Sequence, residues 1–141
     1  MTTWKAAWFT AAVVTGVGFV GVAAAKDAPR EKVTPAFSED IANVAGKKLV
    51  ALIVDYPPGG KTPSHRHAKS AFITGYVLSG SIRSQVDEGP VKVFKAGESW
   101  TEAPGAHHVV SENASESKPA KLLAVFVVDA ADAELMTLDS Q

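Results

Sequence analysis

Between Lys48 and Val128 a turn signal interrupts the chain about every ten residues, and no stretch between the interruptions carries a helical period. That punctuation leaves room for short strands only. Lys48 to Tyr56 is rich in β-branched residues and stops at Pro57-Pro58-Gly59-Gly60. Phe72 to Leu78 reads as strand and turns at Ser79-Gly80. Ser81 to Val86 alternates, with Ile82, Ser84 and Val86 on one face, and Asp87-Glu88-Gly89-Pro90 has hairpin composition. Val91 to Phe94, Glu98 to Glu102 and His108 to Ser111 follow, and Ala120 to Val128 reads as a strand buried on both faces. Many short, evenly spaced strands predict an all-β domain, a sandwich or barrel, over residues 47–129. Residues 26–46 are charged and broken by Pro29 and Pro35; they read as an N-terminal arm with a short strand or turn near Phe37 to Val44. In the tail, residues 130–141, Ala130 to Leu138 is expected to form a helical turn or two.

Residues 1–25 have a different character. Lys5 is the only charge before Lys26, and the 20 residues between them are uncharged and end in Ala23-Ala24-Ala25. This is the pattern of a signal helix cleaved after Ala25, which predicts a periplasmic or secreted protein. The same stretch is long enough for an uncleaved anchor facing outside the cytoplasm, so any membrane contact would run through it alone. Residues 26–141 hold all 15 acids and 13 of the 14 bases, a net charge near −2, which argues against a nucleic-acid partner. With no cysteine there is neither a disulfide framework nor thiolate chemistry. The domain must be held by its core.

All four histidines fall in two segments, Ser64-His65-Arg66-His67 and Pro104-Gly105-Ala106-His107-His108. In an extended segment His65 and His67 project from one face. A third imidazole from a neighbouring strand would complete a pocket for a divalent cation, because neutral imidazole is the commonest nitrogen ligand for first-row metals.

The two segments resemble the cupin motifs. Gly59 or Gly60, His65, His67 and Gly80 are similar to the first motif, and Gly97, Pro104, Gly105, His108 and Asn113 to the second. The resemblance runs from about Lys48 to Val128 and implies a single-domain cupin, a jelly-roll barrel in which His65, His67 and His108 hold the metal. It leaves His107 beside the ligands or exposed. The motif's glutamate is missing, and Ala71 stands in its place. Gln85 and Glu102 are the candidate substitutes, each also readable as an ordinary strand residue. Phe72, Tyr76 and Trp100 are candidates to line the cavity, Arg66 and Arg83 read as solvated, and Asn113 as a turn residue. Three neutral ligands leave coordination positions open. Cupin dioxygenases with three-histidine iron imply a non-haem, dioxygenase-like activity on a small organic molecule, with no catalytic residue assigned. The alternatives are a barrel that binds metal or ligand without turnover and a structural cupin with a vestigial site. Fe, Mn, Zn, Ni and Cu all suit such a site, and a homodimer fits the resemblance.

Overall fold

A computed structural model describes residues 29–140. The expected signal helix lies outside these residues. Eleven strands form two sheets, and no helix is present among the described residues. They are β1 (Lys32–Asp40), β2 (Lys47–Tyr56), β3 (Lys61–Thr62), β4 (His65–His67), β5 (Phe72–Ser79), β6 (Ser81–Val86), β7 (Lys92–Lys95), β8 (Ser99–Glu102), β9 (His107–Asn113), β10 (Ala120–Asp129) and β11 (Met136–Leu138). One sheet has the order β1-β2-β10-β5-β8, and the other runs β11-β4-β9-β6-β7 with β3 added beside β9. Every named pairing between strands is antiparallel. The resulting jelly roll encloses a core between its inner faces.

Strand parity decides what faces that core. On β5, Ile73, Gly75 and Val77 turn inward, whereas Phe72, Tyr76 and Leu78 are exposed. On β10 the inward set is Leu122, Ala124, Phe126 and Val128, whereas Lys121 is exposed and Leu123, Val125 and Val127 are half-buried. So β10 has one core face, not two. Two apolar clusters result. Val50, Ala71, Ile73, Phe126 and Val128 lie in one, and Val54, Tyr56, Val77, Ile82 and Leu122 in the other.

Both flanks differ from the sequence expectation. The arm contains a nine-residue strand, β1, paired along its length with β2. Its charges and Pro35 hide it in the sequence. Pro35 lies at a register shift on the sheet's edge, where a missing N–H and an interrupted ladder are tolerated. The tail forms no helical turn. Met136, Thr137 and Leu138 pair instead with His67, Arg66 and His65.

Candidate metal centre

Both histidine segments are extended, and they lie side by side. His65 faces His108 directly across the β4–β9 ladder, and β4 alternates so that His65 and His67 are buried while Arg66 is exposed. One nitrogen from each of His65, His67 and His108 lies within 4.8 Å of the others. The ring centroids stand 4.7, 5.2 and 6.0 Å apart.

Glu102 joins them from the opposite sheet. It pairs with Ile73 in the β5–β8 register and is 3% exposed. Its Oε2 lies 3.0 Å from His67 Nε2, and its Oε1 3.3 Å from His108 Nδ1. Trp100 shares the inward face of β8 and donates from Nε1 to Glu102 Oε1 at 2.9 Å. Trp100 in turn needs Gly75, since a Cβ there would sit 2.7 Å from its Cζ2.

The surroundings fix the rings. His65 Nδ1 lies 2.7 Å from the Pro63 carbonyl, which only accepts, so Nδ1 carries the proton and the Nε2 lone pair is free. Ser84 Oγ, buried, lies 2.9 Å from His108 Nε2. Burial pushes His65 below its ordinary pKa, and lowers His108 to about 4 despite the nearby Glu102 charge. Burial pushes the Glu102 carboxyl up, but His67, His108 and the Trp100 N–H outweigh it and leave it below the usual range. These directions favour neutral His65 and His108 rings beside an ionised Glu102 carboxylate.

Three buried polar atoms in this cluster lack a hydrogen-bond partner: His67 Nδ1, His67 Nε2 and Glu102 Oε2. The 3.0 Å approach of the last two is out of line for a hydrogen bond. Unmet buried donors and acceptors of this kind are costly. A cation among them would satisfy Glu102 Oε2 and one nitrogen of His67, and the residues present fit one.

The other sequence candidates lie elsewhere. Gln85 donates to the Gly89 carbonyl and does not line the histidine cavity. It sits opposite in parity to Ser84, at a register shift between β6 and β9. Phe72 and Tyr76 face outward at 45% and 42% exposure, and of the three aromatic candidates Trp100 alone lines the cavity. His107 is on the outer side, where its Nε2 meets Ser64 Oγ at 2.9 Å and Asp139 Oδ2 at 2.7 Å. Ala71 packs in an apolar cluster, and the β5 side chain lining the cavity beside Glu102 is Ile73. Asn113 does make a turn, its Oδ1 accepting the Ser115 N–H at 2.9 Å, but it is buried rather than solvated. It is 2% exposed and donates to the Pro57 and Lys118 carbonyls, tying two loops together. Sequence reasoning passed over a hydroxyl chain on the cavity wall, in which Tyr56 Oη lies 2.8 Å from both Thr62 Oγ1 and Ser111 Oγ. The alternation of Ser111 with Asn113 along β9 was its only signal.

A family model for the cupin domain matches residues 52–126, more than half of the chain. The chain belongs to the cupin family. Among solved structures, this cupin is similar to an uncharacterised protein with a double-stranded β-helix domain from Klebsiella pneumoniae, at 20% identity and a TM-score of 0.61, covering 79% of this chain and 86% of that one. It is also similar to a recombinant oxalate oxidase in complex with glycolate, at 22% identity and TM-score 0.59, covering 77% and 54%. A third is the DMSP lyase DddQ from Ruegeria pomeroyi, at 20% identity and TM-score 0.53, covering 64% and 42%. The cupin thus spans about half of the oxidase and less than half of the lyase. At these identities the likeness is one of fold. No curated protein matches the chain.

Proposed function

We propose that this cupin is an exported metalloprotein in which His65, His67 and His108 hold a divalent cation and Glu102 supplies the carboxylate the first motif lacks. The observation that carries this reading is the convergence of the four side chains on unmet buried donor and acceptor atoms. The metal, when bound, supplies Lewis-acid polarisation of a substrate oxygen and, if it is iron, the electrons that activate O₂. The protein's own contribution is orientation. Pro63 fixes the His65 tautomer, Ser84 holds the His108 ring, and Trp100 aims Glu102. Glu102 Oε2 is available to a metal or to a substrate proton, and the apolar wall of Leu52, Ile73 and Phe126 keeps bulk water out.

Glu102 departs from the three-histidine pattern that suggested dioxygenase-like chemistry on a small organic molecule, and we retain that activity as the reading to test. Anaerobic reconstitution with Fe(II), followed by O₂ uptake against a substrate panel, tests it; full iron occupancy with no uptake across the panel rejects catalysis. Tight metal retention without turnover would leave a binding cupin. The reading includes removal of residues 1–25 on export, supported by the uncharged run ending at Ala25, and N-terminal sequencing of protein from the cell envelope checks it. It also includes a homodimer, supported by Phe37, Phe72 and Tyr76 standing exposed on the five-stranded sheet.

A further inference from the structure

The cavity in front of the histidines measures about 70 Å³ and is mostly apolar, with Leu52, Ile73, Leu122 and Phe126 in its wall. Among the described residues lining it there is one acid, Glu102, and no lysine or arginine. Val33 and Met136 line it while remaining 45% and 37% exposed, so they mark its mouth. Both lie outside residues 52–126, the span of the family model, on β1 and β11, each the edge strand of its sheet.

Charge balance then restricts the ligand. A divalent ion, three neutral imidazoles and the Glu102 carboxylate leave one positive charge in an apolar enclosure. Buried net charge is costly unless it is paired. One monoanion cancels it. A dianion overshoots to a buried negative charge with no protein cation to meet it, and a neutral molecule leaves the positive charge standing.

We propose that the site takes a small monoanion with a short apolar tail, entering between Val33 and Met136, and discriminates against dicarboxylates. This inference rests on the metal reading above.

The test uses the full chain loaded with cobalt(II), whose visible absorption reports changes in its ligands. Propionate, malonate and propionamide are titrated in turn at pH 7 and constant ionic strength. Propionate is expected to half-saturate at a concentration at least ten-fold below that of malonate or propionamide. Glu102→Gln removes one negative charge and should move the malonate-to-propionate ratio at least ten-fold toward malonate. Val33→Lys, a half-exposed position at the mouth, should move it the same way and serves if Glu102→Gln does not fold. Malonate held as tightly as propionate by the unaltered protein, or a ratio indifferent to these changes of charge, overturns the assignment. If cobalt does not bind at all, the metal reading falls and this one with it; if cobalt binds and the three probes are not distinguished, this one falls alone.

Discussion

Replacing Gly75 with alanine tests how the carboxylate is positioned. The new methyl would stand 2.7, 2.8 and 2.9 Å from Cζ2, Cε2 and Cη2 of Trp100. Ordinary carbon contacts begin near 3.5 Å, so the indole must retreat by about 0.8 Å. Its retreat is confined, because Phe94 lies 4.8 Å away, centroid to centroid, and His108 6.2 Å. Overpacking of this kind costs about 1–3 kcal/mol, and stretching the 2.9 Å bond from Trp100 Nε1 to an ionised acceptor adds to it. Urea unfolding of metal-free protein should therefore show a loss of about 2–3 kcal/mol for Gly75→Ala. Trp100→Phe removes the N–H while keeping most of the ring, and in the Gly75→Ala background it should recover part of the packing loss. Zinc affinity should fall in both single variants, since both release Glu102. Stability within about 0.5 kcal/mol of the unaltered protein, together with unchanged zinc affinity, would refute the chain from Gly75 through Trp100 to Glu102.

Other outcomes follow from the same site. His67→Ala should lower metal content sharply in elemental analysis and abolish the rise in melting temperature with added metal, an effect worth about 2.7 kcal/mol at one hundred times Kd. Ile73→Glu places a second carboxylate opposite Glu102 and should tighten zinc binding while destabilising the metal-free protein; Ala71→Glu should destabilise without that gain, because Ala71 packs in an apolar cluster. For pH, His108 has a folded pKa of about 4 against an ordinary 6.5, so the unfolded chain binds the extra proton between these values. Metal-free stability should fall as pH drops from about 6.5 to 4, by up to about 3 kcal/mol at about 1.36 kcal/mol per unit, and denaturant midpoints across that window measure it. Glu102, held below its usual range, should add a further loss only as pH falls through its lowered pKa. Phe72→Glu should shift a dimer toward monomer in light scattering without altering metal affinity, since Phe72 is exposed and does not line the cavity.

The interior strands were legible because turn residues bracket them and their apolar positions repeat. The three histidines were legible because HxH parity and the Pro-Gly turn before His108 need no long-range information. Glu102 stood in the sequence as an ambiguous acid. What assigns it is its register against Ile73, a contact between strands far apart in the chain. The alternation Trp100-x-Glu102 put both on one face without saying which. Phe72 and Tyr76 misled for a related reason: β5 carries apolar residues on both faces, so parity alone does not choose between Phe72 and Ile73. The strands β1 and β11 were hidden because each exists through its partner. β1 is exposed at all nine positions, and β11 is three residues of an otherwise irregular tail.

That tail has a consequence for handling the molecule. Asp139 is fastened by its N–H to the Ser64 carbonyl and by its carboxylate to Ser64 Oγ at 2.6 Å, and Leu135 receives the Ala68 N–H. These ties bracket the three-residue strand that carries two of the histidines. Clipping the chain ahead of Leu135 would turn that strand into the rim of its sheet, its backbone open to stray pairing. A purification handle or a protease nick at this end therefore risks the cation pocket, although both lie on the outside of the barrel.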